Sequence, residues 1–186
     1  MSRLTCPLAL LAVLTLTVTT AHAESWELDP AHAAVMFKVS HFDGLSHQYG
    51  RFNDVKGALA TGENASFEFT VVTASIDTNN AKRDDHLRSP DFFNARQFPV
   101  ITFSGSEISE TDNGLSLSGD LTLHGVTQPL SVELTKVGEG DDPWGNHRIG
   151  LETTFTIKRS DFGMDKMIGP VGDEVTLIIS FEAIRQ

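Results

Sequence analysis

The stretch LSLSGDLTL, residues Leu115 to Leu123, alternates apolar and polar side chains with a period of two. Only an extended strand puts such a set on one face, because a helix would scatter the leucines around its circumference. Leu115, Leu117, Leu121 and Leu123 therefore face a core, while Ser116, Ser118, Asp120 and Thr122 face water. The same reading extends in both directions. Upstream, Val35, Phe37 and Val39 alternate with Met36, Lys38 and Ser40, and Phe67, Phe69 and Val71 alternate with Glu68 and Thr70. Downstream come Leu130, Val132 and Leu134, then Ile149 to Ile157, then Val175, Leu177, Ile179 and Phe181. Arg51 to Leu59 and Val100 to Ile108 are less regular but rich in strand formers.

Turn residues separate these segments: Asp43-Gly44, Thr61 to Asn64, Asp112-Asn113-Gly114, His124-Gly125 and Gly138 to Gly145. Asn113-Gly114 predicts a tight hairpin with positive φ at both central residues. The count is about eight antiparallel strands, each with one apolar face and no helix to cover it. That combination predicts a closed barrel or a sandwich, and a barrel removes the sheet edges that invite aggregation. An all-β, eight-stranded antiparallel barrel is the expected fold. The exception is SIDTNNAKRDDHLRSPDFFN, Ser75 to Asn94, where a short helix is expected over 81–88. Ser89-Pro90 ends it, since a residue before proline resists the helical region. With a further turn over 91–95, this is a helical excursion long enough to fold over one end of a barrel.

At the N-terminus, Arg3, the apolar run Leu8 to Val18 and Ala21-His22-Ala23 read as a secretory signal peptide over 1–23, cleaved before Glu24. The domain is then 24–186, and it is expected to be exported. Its single cysteine, Cys6, leaves with the signal, so the domain must fold in an oxidising compartment without disulfides. The net charge is −11, or −12 without Arg3. Such acidity disfavours nucleic acid and anionic lipid headgroups as partners, and outside the signal no segment reads as a membrane span.

Twelve phenylalanines against one tyrosine imply a dry interior, because a buried phenol needs a hydrogen-bond partner. Phe37, Phe67, Phe69, Phe103, Phe155 and Phe181 fall on the apolar parity of their strands. Periodicity alone leaves two readings open: an eight-stranded interior filled by side chains, or one that holds a small ligand. There is no G-x-S-x-G elbow, H-E-x-x-H helix, Walker A loop or cysteine nucleophile. His32, His41 and His47 lack metal-ligand spacing and read as hydrogen-bonded structural residues, with no metal or cofactor expected. Arg83-Asp84-Asp85-His86 reads either as acid–base chemistry or as Arg83 paired with an aspartate to pin the excursion onto the barrel rim; pinning is favoured. In KRSDFGMDKM, Lys158 to Met167, Arg159 is expected to pair with Asp161, while Phe162 and Met164 form an adaptable apolar lip.

Five ordered blocks carry a resemblance: LDPAHAAVMFKVSHFDGLSHQYGRF, ASIDTNNAKRDDHLRSPDFFNARQFPVITF, GDLTLHGVTQPL, KRSDFGM and VGDEVTLIISFEA. Together they make the chain resemble the YceI-like family of bacterial periplasmic proteins over essentially its whole length after the signal. The resemblance implies a lipocalin-like barrel with an elongated tunnel, binding of isoprenoid or related long-chain lipids, no enzymatic activity, and dimers. One departure is His32-Ala33, where the family commonly has His-Ser. The implied function is an exported carrier or store for a polyprenyl or quinone-like lipid; the rivals are an enzyme acting on such a lipid and a filled-barrel interaction or stress protein. Candidate ligand contacts on the strands are Phe37, Phe67, Phe69, Phe103, Leu121 and Phe155. Phe92, Phe93 and Phe98 come from the lid, and Phe162 and Met164 from the lip. Arg83, His86 and Arg159 are the candidates for meeting a polar head.

Overall fold

In the computed structural model, which describes residues 23–186, strand β1 runs Ser25–His41. It is longer than its alternation suggests because the parity changes partway. Trp26 and Leu28 are buried on even positions, and Val35 and Phe37 on odd ones. Between them, Asp29 to His32 stand opposite Glu182 alone, a bulge that resets which residues face inward. The expected signal peptide lies outside the described residues except for Ala23.

The remaining strands are β2 (Ser46–Phe52), β3 (Val55–Ala60), β4 (Ser66–Val72), β5 (Ile76–Asp77), β6 (Val100–Thr111), β7 (Gly114–Leu123), β8 (Val126–Asp141), β9 (His147–Lys158) and β10 (Val171–Arg185). All pair antiparallel, and β10 returns to pair with β1, which closes the sheet. Ten strands make eight staves. β2 and β3 are halves of one strand lying along β1, and β4 and β5 are halves of the next. The breaks face each other. At Asn53-Asp54 both backbone N–H groups donate to Ser75 Oγ at 3.1 Å, within the single turn Thr73–Ser75 that interrupts the neighbouring stave. Expectation and structure agree on a closed eight-stranded antiparallel barrel with one short helix.

One turn differs from its expected form. The β6–β7 hairpin pairs Thr111 with Gly114, so its loop is Asp112-Asn113, and of these three residues only Gly114 has positive φ (+155°). A Cβ on Gly114 would lie 2.0 Å from Leu134 O, so only glycine lets β7 begin directly against β8.

The helix α1 (Ala81–Arg88) forms where its capping residues put it. The Asn80 side chain accepts from Arg83 N, and the helix ends at Ser89 before Pro90. With the turns that follow it, α1 crosses one end of the barrel. The segment 159–170, opened by the single turn Arg159–Phe162, lies at the same end. The three hairpins at 60–66, 111–114 and 141–147 close the other end. That floor is packed solid by Trp26, Leu59, Phe67, Leu151 and Ala183, each no more than 4 % exposed.

Candidate functional site

Above the floor the barrel is hollow. The cavity has a volume of about 210 Å³. Leu28, Leu134 and Phe181 form its base, Phe69, Phe103, Phe155, Leu177 and Ile179 its middle, and Val39, Ile157, Arg159, Met164 and Val171 its mouth end. Phe69, Phe103, Phe155, Val175, Leu177 and Ile179 point inward by strand parity, yet each is only partly buried. In a filled core such side chains would lose their surface to one another. Here they face empty space.

Cross-strand pairing explains how so many rings leave a void. Phe37 pairs with Gly50, Phe69 with Gly57, and Phe67 with Gly105. A Cβ added to Gly50 would lie 2.3 Å from the Phe37 ring, and one added to Gly57 would lie 2.2 Å from the Phe69 ring. Each ring therefore lies back over a bare glycine on the neighbouring strand. A side chain at those positions would push the ring toward the axis.

The lid is held by polar contacts beneath α1. Arg83 donates from Nε to Thr78 Oγ1 (2.7 Å), from Nη2 to Thr78 O (2.7 Å), and from Nη1 to Gln48 Oε1 (3.0 Å). Buried Asp84 accepts from Thr78 N (2.9 Å) and Thr78 Oγ1 (2.5 Å). Arg88 reaches Ala74 O and Ile76 O, and among the described residues Asp85 pairs only with Arg88. The expected pairing of Arg83 with an aspartate is therefore corrected. Thr78, on the loop before the helix, stands between the two charges and satisfies both. The lid's apolar side then meets the cavity through Leu87, Phe92 and Phe93, with Phe93 edge-on to Phe52 at 5.6 Å.

Arg159 is a second correction. It is 5 % exposed and does not pair with Asp161. It donates instead to four carbonyls: Met164 O (2.5 Å), Lys166 O (2.9 Å), Gly172 O (2.9 Å) and Val171 O (3.0 Å). The tight turn carries Asp161 away from the barrel, while the long guanidinium folds back under the loop that follows. Burial pushes its pKa down from the ordinary arginine value, opposed by Asp173 and Asp165. Among the described residues it is the only ionisable side chain lining the cavity.

Of the candidate contacts, Phe37, Phe69, Phe92, Phe93, Phe103, Leu121, Phe155, Met164 and Arg159 line the cavity together. Five do not. Phe67 belongs to the packed floor, and Phe162 packs in a small cluster with Leu121, Leu123 and Met164. Phe98 lies outside against His124, its ring 4.7 Å away. Arg83 points under the lid, and exposed His86 bonds Asp91 at 3.2 Å and stacks edge-on against Phe92. Asp84, Asp85 and His86, the groups that acid–base chemistry would need, all lie outside the cavity lining. Sequence reading missed Leu87, Val132, Leu177 and Ile179 as cavity residues; strand parity marked the last three as inward, but nothing marked them as facing a void.

At the floor end, Arg148 donates to Asp142 (2.6 Å), Asp29 (2.7 Å) and Glu182 (3.0 Å). Arg148 and the His32 ring hold Asp29 down at about 2. Burial alone would raise Asp142, but bonds from Arg148, Asn146 and Trp144 hold it well below the usual carboxylate range. Ligand atoms of Asp29, His32 and Glu182 lie within 4.8 Å of one another. The guanidinium, bonded to both carboxylates, already supplies the positive charge there, so the cluster is an ion network. It fastens the bulge of β1 to β9 and β10.

A family model described as a YceI-like domain matches residues 26–183. A UPF0312 protein of Pseudomonas aeruginosa is 42% identical over 172 residues, covering 89% of this chain and 90% of that one. The crystal structure of Burkholderia cenocepacia BcnA superposes with a TM-score of 0.73 at 23% identity, over 83% of this chain and 98% of that one. A polyisoprenoid binding domain from Saccharophagus degradans, implicated in plant cell wall breakdown, superposes with a TM-score of 0.66 at 14% identity, over 87% and 98% of the two chains. Both structures share the barrel fold. Among the described residues, no helix is long and apolar enough to cross a membrane.

Proposed function

This chain belongs to the YceI-like domain family, and from that premise we propose that it is an exported, non-enzymatic carrier or store for a long-chain isoprenoid-type lipid. The observation that carries the proposal is the hollow apolar interior, where inward-facing Phe69, Phe103, Phe155, Leu177 and Ile179 remain partly uncovered. A polyprenyl or quinone-like chain supplies the missing contacts. Each Å² of apolar surface it removes from water is worth roughly 25 cal/mol. The fold shared with a polyisoprenoid binding domain supports the same ligand class. The polar head stays at the mouth near Arg159, whose four carbonyl bonds leave one of its five N–H donors for an oxygen acceptor.

Export follows from the N-terminal pattern. The signal peptide, 1–23, is removed before Glu24, and the domain 24–186 works in the periplasm. N-terminal sequencing of the periplasmic fraction should start near Glu24; uncleaved chain in the membrane fraction would overturn this.

The ligand is tested by native mass spectrometry of protein taken from its own periplasm, followed by lipid extraction. The expected result is a bound mass that extracts as an isoprenoid lipid. Leu177→Trp, which puts an indole into the middle of the tunnel opposite Phe37 and Phe155, should lose that mass while the melting temperature, compared between the delipidated proteins, changes little. Retention of the lipid by this variant, or a ligand without an isoprenoid chain, would refute the proposal.

A further inference from the structure

Two loops at the cavity mouth present apolar side chains to water. Phe42 to Leu45 joins β1 to β2, and Asp165 to Pro170 leads into β10. The loops touch: Phe42 N donates to Pro170 O at 2.7 Å, and His41 pairs with Val171. Leu45 is 80 % exposed, Phe42 57 %, Met167 45 % and Ile168 45 %. A single exposed apolar residue needs no explanation. Four on two touching loops are a patch, and a patch of this kind marks a surface that meets something.

The backbone points the same way. Among the described residues, six that are not glycine have positive φ. Four are Asp43, Asn79, Asn94 and His124, types that tolerate this region. The other two are Phe42 (+48°) and Met167 (+58°). Bulky residues are held in that region only where the surroundings force it, and such strain collects at functional places. Both lie on this patch.

The patch is also continuous with the cavity. Val39 and Val171 line the tunnel and lead directly into the two loops. Arg159 holds the carbonyls of Met164, Lys166 and Val171, so one side of the second loop is cavity wall and the other carries Met167 and Ile168. Charge suits a neutral surface. The two loops contain only Asp43, Asp165 and Lys166, whereas the whole chain carries −11.

We infer that Phe42, Leu45, Met167 and Ile168 form a docking tip for a zwitterionic lipid bilayer. The tip enters the headgroup boundary and sets the tunnel mouth against the membrane, so that a lipid chain passes between bilayer and barrel without crossing water. This rests on the lipid-holding function proposed above.

The test uses the exported chain and its Phe42→Asn/Leu45→Ser/Met167→Asn/Ile168→Ser variant, asparagine being chosen where φ is positive. Leu45→Ser alone serves as a second variant that cannot disturb the barrel. Two measurements are made: co-flotation with phosphatidylcholine vesicles, and the rate of transfer of an anthraniloyl-labelled geranylgeranyl chain from them. The wild type should float with the vesicles. Transfer should slow at least tenfold in the fourfold variant and severalfold in Leu45→Ser, while equilibrium binding of the probe presented without vesicles is unchanged. Transfer and flotation at wild-type levels in both variants would overturn the inference. So would loss of a dimer in sedimentation with vesicle association intact, which would make the patch a contact between copies. A wild type that floats but takes up no probe would support docking and sink the carrier function instead.

Discussion

Phe67 and Phe69 sit two positions apart on β4, point the same way, and should respond very differently to truncation to alanine. Phe67 is 3 % exposed, lies 4.8 Å from the Phe103 ring and packs over Gly105 and Gly119 in the solid floor. Its removal leaves a closed void, so both the lost transfer energy and the cavity cost apply, roughly 3 to 5 kcal/mol. Phe69 rests one face on Gly57 and neighbours Phe181 at 5.6 Å, but it also lines the tunnel. Truncation there widens a space that already exists. Only the transfer part is lost, at most about 1.5 to 3 kcal/mol. Phe69→Ala should therefore be about 1 to 2 kcal/mol less damaging than Phe67→Ala, which for a chain of this length is several degrees in melting temperature. The assay is urea unfolding of delipidated protein, since bound lipid would stabilise the folded state by mass action. Buried Trp26, 4 % exposed, reports the transition, and the denaturant slope must stay constant for the comparison to hold. Equal losses at the two positions, or a larger one at Phe69, would mean that the tunnel is closed in solution and would refute the hollow interior.

The lid makes a second prediction. Arg83→Ala and Thr78→Val should couple by about 1 kcal/mol or more in a double-mutant cycle on thermal stability, because the guanidinium bonds Thr78 directly. Arg83 and Asp85 should show no coupling, and a large value there would remove this account of the lid. The Arg148 network predicts how stability varies with pH. Asp29 titrates lower in the folded protein than in the unfolded chain, so its contribution is present at neutral pH and is lost as pH falls from about 4 towards 2. Asp142 shifts in the same direction. Arg148→Met should melt earlier than wild type at pH 7, with the gap narrowing by pH 2; a gap independent of pH would show that the network adds only packing. His147 is raised by Asp141 and Glu139, so its smaller contribution runs the other way, present below about 6.5 and lost as pH rises through its folded value.

Much of the fold was legible because side-chain alternation is a local property. LSLSGDLTL became β7, and the five other regular patterns fell within strands. The interruptions were harder to read. The phase change in β1 across Asp29 to His32 is set by Glu182 on a strand at the far end of the chain, and the break at Asn53-Asp54 by Ser75 on the neighbouring stave. The polar partners failed for a related reason. Arg83 and Arg159 have long side chains that reach past their sequence neighbours, so which acceptors they find depends on what the fold brings beneath them.

By itself the sequence determined the family, the eight staves and the inward face of each regularly alternating stretch, since each of these depends on order and period along one chain. Whether the inward phenylalanines meet or stand apart was decided only by the tertiary structure. That outcome depends on cross-strand register, which lays Phe37 on Gly50 and Phe69 on Gly57 and keeps the axis open, while Trp26, Leu59 and Phe67 fill the floor. A period of two specifies a direction, not a distance, and the distance across a barrel follows from how its strands pair.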